Sequence, residues 1–485
     1  MSEKLEKARL YEIEEAKNIP QEEKPAFHVS APVGWINDPN GFSVFKGKVH
    51  LFYQYHPYSR DWGPMHWGHS VTEDMIRWEQ LPTALAPDQE YDREGCFSGS
   101  AIEADGKQAL IYTGVTTEKL PDGKEEVRQN QCLAWGDGKD YVKAEKNPVV
   151  TGDMLPEKCS RVDFRDPKVW EDNGTYHMLV GCRSEEIPGQ VVLFSSKDLK
   201  EWKFETILAE NSTGEIGVMW ECPDFFPLGD KHVLICSPQH MRAKGYEFHN
   251  GHNSLYFTGD YDSEKHTFEK DAPVSLDYGL DFYAPQTFTS PDGRKILFAW
   301  MSRMEEEEEK LFGAGESSIH CMTLPRELSY RNGELCQLPV RELEKSLCIH
   351  KISEQERQSG EIILKNRVYC AKLSNLQNET SFEIEFQNRE VILEYKKVEK
   401  IISVKRKNWV TKDYDERNCK IDSLETIECW SDISSMEIFV NQGSKVFSMR
   451  MFTEEENGKV KISGLMKETV VEMYDLMGEG EEKNE

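Results

Sequence analysis

Three carboxylates lie in short motifs whose residue types suit acid–base chemistry. Asp38 and Asp166 each precede a proline, and Glu221 lies two residues before one. A single Asp-Pro pair is most often the start of a turn, so each motif alone favours a structural role. Two carboxyl groups that face one bond, however, are the minimum equipment for hydrolysing a glycosidic bond: an ionised one attacks the anomeric carbon, and a protonated one donates to the departing oxygen. The third could hold sugar hydroxyls or stabilise positive charge on the ring.

The sequence neighbours of the three carboxylates predict different ionisation states. Glu221 follows Trp220 and precedes a Cys-Pro pair, an apolar setting that favours the protonated form and suits this residue to act as the acid. Asp38 is surrounded by asparagines and turn amides, which favour the ionised form that a nucleophile needs. Arg165 directly precedes Asp166 and is expected to keep that carboxylate ionised as well.

An internal repeat explains how such distant residues could meet. Five segments each combine a polar start, a Gly-containing turn and a strongly apolar strand. They cover residues 37–54, 97–112, 165–180, 221–236 and 283–299. Their starts are about 55 to 68 residues apart, room for roughly four short strands each, so they predict a five-bladed β-propeller in which equivalent strand starts converge on one channel. Because Asp38, Asp166 and Glu221 occupy corresponding positions, closure of the ring is expected to gather them around one axis.

The rest of the chain predicts two further parts. After residue 345, short segments alternate apolar and polar residues, which is typical of half-buried antiparallel strands and predicts a β-sandwich. The fold class is therefore all-β, a five-bladed β-propeller followed by a C-terminal β-sandwich. The expected divisions are an N-terminal peripheral helical segment over residues 1–24, the catalytic propeller over 25–334, a linker over 335–344 and the sandwich over 345–485.

Composition disfavours several classes of protein and partner. With 59 Lys and Arg against 87 Asp and Glu, the net charge is −28, which disfavours binding to nucleic acid or to anionic membranes. No apolar run approaches the roughly 18 residues of a membrane span. The charged N-terminal residues lack the apolar stretch of a signal peptide, and the 12 cysteines form no C-x-x-C pair, so we expect a cytoplasmic protein with reduced thiols. His66 with His69 and His249 with His252 have no further metal ligands nearby; we interpret them as polar loop residues and expect no metal site.

Five motifs of the chain resemble signatures of glycoside hydrolase family 32, which comprises invertases, fructanases and sucrose-6-phosphate hydrolases. They are Trp35-Ile36-Asn37-Asp38-Pro39-Asn40-Gly41, Gly95-Cys96-Phe97-Ser98-Gly99-Ser100, Phe164-Arg165-Asp166-Pro167-Lys168, Trp220-Glu221-Cys222-Pro223-Asp224 and Asp281-Phe282-Tyr283-Ala284-Pro285-Gln286. The resemblance implies a five-bladed propeller with an appended sandwich and a retaining mechanism without metal or organic cofactor. It also implies that Asp38 is the nucleophile, Glu221 the acid/base and Asp166 the transition-state stabiliser.

The same resemblance indicates which residues bind the sugar. Positions that match the fructosyl-binding residues of the family are Asn37, Gln54, Trp62, Phe97, Ser98, Arg165, Tyr283 and Trp300. Trp35 is expected beside them, since aromatic rings stack on the C–H faces of sugars. In this mechanism Asp38 attacks C2 of a terminal β-fructofuranosyl unit while Glu221 protonates the bridging oxygen, and water then releases fructose with retained configuration. The two carboxyl groups of a retaining site lie about 5–5.5 Å apart.

The motifs leave several functions open. A sugar acceptor in place of water would give fructosyl transfer, and short fructans of the inulin or levan type are alternatives to sucrose and sucrose 6-phosphate as substrate. A non-catalytic sugar-binding propeller is an alternative of another class, because lectin-like modules share these folds. Inverting five-bladed enzymes that act on arabinose or xylose polymers resemble this chain much less. The missing secretion signal favours a small imported sugar, the sandwich is expected to be structural, and both a monomer and a homodimer remain open.

Overall fold

The computed structural model describes residues 1–20, 24–302, 320–453 and 456–477. Within these ranges the chain is all-β apart from short helical segments. These are the α-helices α1 (Glu3–Glu15) and α2 (Glu354–Ser359) and the 3-10 helices Ala16–Asn18, Glu90–Asp92, Gly152–Met154 and Arg341–Ser346. No helix in the described ranges is both long and apolar enough to cross a membrane.

Five sheets, each built from consecutive antiparallel strands, follow one another along the chain. The first contains β1 (Trp35–Phe45), β2 (Lys48–His56), β3 (His66–Thr72) and β4 (Glu79–Leu85). The second contains β5 (Gly95–Ala104), β6 (Lys107–Lys119), β7 (Glu125–Gly136) and β8 (Tyr141–Lys143). The third contains β9 (Cys159–Asp172), β10 (Thr175–Ser184), β11 (Gln190–Ser196) and β12 (Trp202–Glu210).

The fourth and fifth sheets complete this series. The fourth contains β13 (Trp220–Leu228), β14 (Lys231–Pro238), β15 (Leu255–Asp262) and β16 (Thr267–Lys270), with the short β17 (Val274–Ser275) paired to β15. The fifth contains β18 (Tyr283–Thr289), β19 (Lys295–Trp300), β20 (Arg326–Arg331) and β21 (Glu334–Pro339). The first strand of each sheet contacts the first strand of the next, and β18 contacts β1, so the five first strands form a closed ring.

The repeated glycine lies in the hairpin turn between the first and second strands. Gly47, Gly106 and Gly174 have φ angles of 79°, 68° and 71°, and the residue before each also has a positive φ. Two successive positive φ angles are typical of the type I′ turns that match the twist of antiparallel strands. The turns predicted at these glycines are confirmed.

Each first strand also carries a bulge at a corresponding position, before the turn. The register of the pairing shifts between Ile36 and Pro39 in β1, between Phe97 and Gly99 in β5, between Glu221 and Asp224 in β13, and between Tyr283 and Gln286 in β18. In the third sheet the shift lies between Arg165 and Lys168 of β9, which pair with Gly181 and Leu179 of β10. A bulge leaves a residue unpaired in the ladder and changes the direction of its side chain. Asp38, Ser98, Asp166, Glu221 and Tyr283 all lie in or beside these bulges, which direct their side chains to the site described below.

Two six-stranded sheets follow the fifth sheet. In spatial order, one contains β22 (Leu347–His350), β33 (Val470–Leu476), β24 (Tyr369–Ser374), β29 (Ile427–Asp432), β30 (Ser435–Val440) and β31 (Lys445–Arg450). The other contains β23 (Glu361–Ile363), β32 (Lys459–Ser463), β25 (Phe382–Phe386), β26 (Val391–Lys396), β27 (Ile401–Lys407) and β28 (Tyr414–Lys420). Both sheets contribute side chains to one hydrophobic core, which is the arrangement of a β-sandwich.

Two sequence-based expectations about local structure are wrong. The linker predicted over residues 335–344 begins too early, because Glu334–Pro339 forms β21, which pairs with β20 and gives the fifth sheet its fourth strand. The connection is the 3-10 helix Arg341–Ser346. His66 and His69 lie in the buried strand β3 and not in a loop; His69 stacks on Phe52 at 4.1 Å.

A buried charge cluster joins the segment before β1 to the fifth sheet and the sandwich. His28 contacts Asp432 through Nδ1 (2.7 Å) and Glu437 through Nε2 (2.9 Å). Arg326 donates from Nε to Glu437 (2.9 Å) and from Nη1 to Asp277 (3.0 Å). Although burial opposes it, hydrogen bonding to the two carboxylates raises the pKa of His28 to about 9. The cluster therefore holds the two parts of the molecule together with fully buried ion pairs.

Candidate active site

Carboxylates from two different sheets contact one thiol, and a third carboxylate is carried by the residue that precedes this cysteine. Cys222 Sγ lies 3.5 Å from Asp38 Oδ2 and 3.6 Å from Asp166 Oδ2, and the Cys222 backbone N–H donates to Asp166 Oδ2 at 2.9 Å. Glu221 directly precedes Cys222 at the same bulge of β13. The structure therefore brings Asp38, Asp166 and Glu221 into one place, although they are up to 183 positions apart in the chain.

The Asp38 carboxylate is bound at both oxygens. Ser98 Oγ donates to Oδ2 at 2.6 Å, and Asn37 Nδ2 donates to Oδ1 at 3.1 Å. The Asn37 amide is oriented in turn by Trp35, whose Nε1 donates to Asn37 Oδ1 at 2.8 Å. These bonds fix the rotation of the carboxylate, as a nucleophile requires.

Asp166 occupies a left-handed backbone conformation with a φ of 66°. Its N–H donates to Thr113 Oγ1 at 3.0 Å, so a buried hydroxyl from the second sheet satisfies the backbone at this bulge. A residue other than glycine seldom adopts this conformation, and such strain concentrates at functional sites. Here it places the carboxylate against the Cys222 backbone.

Glu221 has different partners from the two aspartates. Tyr283 OH donates to Oε2 at 2.7 Å, and Arg165 donates to Oε1 from Nε at 3.0 Å and from Nη2 at 2.9 Å. The arginine is held from behind by Asp163 (3.0 Å) and Gln129 (3.1 Å). Glu221 is thus bound by a cation and a phenol, whereas the described side chains that donate to Asp38 are neutral.

The sequence neighbours predicted that both aspartates favour the ionised form, whereas the buried site raises the pKa of both carboxyl groups. Burial, and then the neighbouring charge of Glu221, raise the pKa of Asp38, although Ser98 and Asn37 donate to it. Burial also raises the pKa of Asp166 to about 7; the charge of Arg165 opposes this change, while Glu221 and Asp38 add to it. The reason is that three acids share a water-poor space in which like charges disfavour one another, and Arg165 makes its direct bonds to Glu221 and not to the adjacent Asp166.

An aromatic wall adjoins the carboxylates. Trp35, Tyr283 and Trp300 form one buried cluster that also contains Met65, Cys222 and Ala284, with Phe97 packed against it. The Trp35 and Trp300 rings lie 6.1 Å apart, and the His320 ring packs edge-on against both. Such a wall offers apolar surface to the C–H face of a sugar beside a few oriented polar groups.

The remaining predicted binding residues lie at the edge of this cluster. Trp62 is half exposed and contacts Phe97 edge to face at 5.9 Å. Gln54 is buried on β2, and its Nε2 donates to the Cys96 carbonyl at 3.0 Å, one residue before Phe97. Both side chains are therefore connected to the carboxylates through β5, which also carries Ser98.

Four residues of the site were not recognised, or were interpreted differently, from the sequence alone. Cys222 counted only as an apolar neighbour of Glu221, whereas its thiol contacts both aspartates. Asp163 and Gln129 orient Arg165, and His320 packs between the two tryptophans. Only Asp163 carried a local signal, because residues two apart in a strand point to the same face. Among the described residues, no group of three or more His, Cys, Asp or Glu side chains could hold a metal ion.

Comparison with protein families identifies the group to which this chain belongs. Residues 28–339 match the model of the glycosyl hydrolases family 32 N-terminal domain. The chain belongs to glycoside hydrolase family 32. Its relatives in this family include a sucrose-6-phosphate hydrolase of Bacillus subtilis, 38% identical over 93% of this chain and 94% of that protein, and a raffinose invertase of Escherichia coli, 36% identical over 90% and 91%.

Solved structures of the family agree with the fold. A family 32 β-fructofuranosidase from Bombyx mori superimposes with a TM-score of 0.85 at 32% identity, covering 97% of both chains. A mutant of that enzyme in complex with sucrose superimposes equally well. A sucrose-6-phosphate hydrolase from Lactobacillus gasseri shares the fold with a TM-score of 0.81 at 23% identity, covering 97% of this chain. The family membership predicted from the motifs is confirmed.

Proposed function

We propose that the protein is a retaining β-fructofuranosidase that hydrolyses the terminal β-D-fructofuranosyl unit of sucrose or sucrose 6-phosphate. The observation that carries the proposal is the gathering of three carboxylates from separate sheets: Asp38 and Asp166 both contact the Cys222 thiol, and Glu221 precedes that residue at the same bulge. Two of them have contrasting partners, since Asp38 accepts from a serine and an amide and Glu221 from an arginine and a tyrosine. The names of the Bacillus subtilis and Bombyx mori relatives support the choice of substrate.

The architecture of this enzyme is proposed to be a five-bladed propeller with an appended sandwich. The closed ring of the five first strands supports the propeller, with each sheet as one blade. Under this proposal the catalytic domain includes β21 and ends near residue 339, and the sandwich begins at β22. The helix α1 is the peripheral helical segment expected within residues 1–24.

Asp38 is proposed to act as the nucleophile. Ser98 and Asn37 each donate a hydrogen bond to one of its two oxygens. The carboxylate is therefore already oriented when one oxygen attacks C2 of the fructosyl unit. The attack forms a covalent fructosyl-enzyme and breaks the bond between C2 and the bridging oxygen. The bonded electron pair leaves with that oxygen, which needs a proton at the same moment.

Glu221 is proposed to supply that proton and later to recover one. It first protonates the bridging oxygen, and in the second step it deprotonates the water that attacks C2. Arg165 and Tyr283 hold its two oxygens in place through both steps. Asp166 is proposed to stabilise the positive charge that develops on the ring, and its contact with the Cys222 N–H fixes its carboxylate next to the reacting centre.

The aromatic residues and Gln54 are proposed to bind the fructosyl unit. Trp35 and Trp300 give the site a rigid apolar wall, and Trp62 with Phe97 lies at its edge. The proposed substrate is neutral or carries one phosphate, and the net charge of −28 makes a local cationic group necessary for the phosphate. Turnover of sucrose and of sucrose 6-phosphate, measured side by side, would establish which is preferred.

The proposal is tested by one substitution and one stereochemical measurement. Asp38→Asn keeps the shape of the side chain and is expected to lower kcat on sucrose by at least about a thousandfold, the scale seen when a nucleophile is removed. Asp105→Asn, in the exposed turn between β5 and β6, is the matched control and is expected to retain full activity. NMR of the first product should show β-fructofuranose; formation of the other anomer, or activity of Asp38→Asn near that of the wild type, would contradict the mechanism.

Three further properties each have their own test. Fructosyl transfer uses the same covalent intermediate, so the products formed at high sucrose concentration distinguish transfer from hydrolysis. A cytoplasmic location also remains a prediction, and fractionation of the source cells would test it. Sedimentation would decide between monomer and homodimer.

A further inference from the structure

One edge of the candidate site is formed by the segment between β2 and β3, residues 57–65, which we call the Trp62 loop. Trp62 is half exposed, and its ring contacts Phe97 at 5.9 Å. This loop connects two strands of the first sheet and is bonded at Met65 to Cys96 of β5 in the second. The conformation of the Trp62 loop therefore determines the position of the Trp62 ring relative to the aromatic wall.

The second half of the Trp62 loop is held by the sheets themselves. The Pro64 carbonyl contacts His66 Nδ1 at 3.0 Å and His56 Nδ1 at 3.3 Å, and the Met65 carbonyl accepts from the Cys96 N–H at 2.9 Å. At Gly63 the loop passes so close to the His56 ring that an added Cβ would lie 2.6 Å from it. This half thus has backbone bonds to both neighbouring sheets.

The first half of the loop is held through Tyr58. The Tyr58 ring packs edge-on against His56 and His66, each at 5.7 Å. Its other contacts come from helix α1: the Tyr11 ring lies 5.1 Å away, edge to face, and Lys7 Nζ lies 5.0 Å from the ring centroid. The helix and the loop are thus joined through one aromatic side chain.

Helix α1 is itself fixed to the outer strand of the first sheet. Buried Glu12 accepts from the Thr83 N–H (3.0 Å) and from Thr83 Oγ1 (2.6 Å), and Arg9 Nε donates to the Thr83 carbonyl (2.9 Å). Lys4 Nζ donates to the Pro87 carbonyl at 2.7 Å. Hydrogen bonds at three successive turns of α1 fix its position on β4, so the helix can serve as a rigid support.

We propose that α1 is a brace for the active site, in which Tyr11 and Lys7 position the Trp62 loop by holding Tyr58. The inference rests on the proposed function, since it is the fructosyl-binding role of Trp62 that gives the brace its effect on catalysis. Tyr11 and Lys7 contact neither the carboxylates nor the aromatic wall among the described residues, so they are positioning residues.

The brace is expected to act on substrate binding. A loop that loses an anchoring contact samples open conformations, and the substrate must then order it on binding, which weakens affinity. The carboxylates are fixed by other strands, so the chemical step is expected to change little. Loss of the Tyr11 ring should therefore raise KM by about threefold to tenfold, the range that one aromatic contact supports, and leave kcat within about twofold.

The experiment compares two alanine variants of the same helix in the full-length protein. Tyr11→Ala removes the contact with Tyr58, whereas Leu10→Ala shortens an exposed side chain on the neighbouring position of α1. Tyr11→Phe keeps the ring and is expected to restore the KM of the wild type. Hydrogen exchange of peptides that cover residues 57–65 should be faster in Tyr11→Ala than in Leu10→Ala, and this second measurement does not depend on activity.

A double-mutant cycle separates the brace from a general loss of stability. In a Trp62→Ala background the Tyr11→Ala substitution should no longer raise KM, because the residue that it positions is gone. Equal exchange in the two alanine variants, or a KM effect of the same size with and without Trp62, would overturn the brace. If the wild type turns over no β-fructofuranoside, the proposed function fails instead, and the exchange measurement still decides whether α1 holds the loop.

Discussion

Removal of the Ser98 hydroxyl is expected to move the acidic limb of the pH profile. Ser98 Oγ donates to Asp38 Oδ2 at 2.6 Å inside the buried site. Burial already raises the pKa of Asp38, and the bond from Ser98 is the largest influence that lowers it. Ser98→Ala removes a donor to the charged form and leaves the desolvation in place, so the pKa of Asp38 should rise further.

The size of the shift follows from the bond that is lost. A hydrogen bond to a charged group contributes roughly 1.5–3 kcal/mol, and each pKa unit corresponds to about 1.36 kcal/mol. Asn37 still donates to the other oxygen, so we take the lower end of this range. The apparent acidic pKa of kcat/KM should then move up by about one unit, with a loss of about tenfold in kcat/KM on the acidic side of the profile.

The assay is the full pH profile of sucrose hydrolysis for the variant and for a matched control. Ser100→Ala is the control, because Ser100 is also a buried serine of β5 but donates to the Pro167 carbonyl and contacts no carboxylate among the described residues. Its acidic limb should stay where the wild type has it. A Ser98→Ala profile that superimposes on the wild type, or an equal shift in Ser100→Ala, would refute the idea that this hydroxyl controls the ionisation of Asp38.

Other outcomes can be expected from the same contacts. Glu221→Gln should lower kcat/KM on sucrose by about 10²–10⁴-fold but much less on an aryl fructoside, whose leaving group needs no proton in the first step; equal losses of kcat/KM would contradict the acid role. Trp62→Ala should raise KM more than it lowers kcat, and the reverse pattern would remove this residue from binding. The pKa of His28 is raised from 6.5 to about 9, so its stabilisation is complete below pH 6.5 and is lost as the pH rises through about 9. Urea unfolding at pH 6.5 and pH 9.5 should show a loss of about 3 kcal/mol in the wild type and a flatter dependence in His28→Gln.

The fold could be predicted from the sequence where local chemistry determines it. Gly47, Gly106 and Gly174 mark type I′ turns, whose backbone angles require such residues, so their even placement makes the repeat visible in the residue types alone. The sequence of β21 contains no comparable pattern, because what defines this strand is its pairing with β20, which completes the fifth sheet. The proline at the end of β21 was interpreted as part of a joint, although proline is tolerated on an edge strand, and β21 is the edge strand of the fifth sheet.

The sequence predicted which carboxylates come together in the site, but not how their surroundings change their pKa values. Corresponding positions in repeated sheets indicated that Asp38, Asp166 and Glu221 would meet, since equivalent bulges face one axis. Ionisation depends on burial and on neighbours in space, and adjacent residues of a strand point in different directions. Arg165 is therefore adjacent to Asp166 in the chain but donates to Glu221 on another sheet.

The raised pKa values have a consequence for the reaction cycle. Burial raises the pKa of Asp166 to about 7 and raises that of Asp38 as well, so the shared site opposes the charged form of both aspartates. The Arg165 guanidinium contacts the Glu221 carboxylate directly, so a cation lies beside the group that gives up its proton in the proposed mechanism. Under the proposed mechanism the proton leaves Glu221 as Asp38 attacks, and Arg165, which precedes Asp166 in the chain, is then in position to pair with the carboxylate that remains.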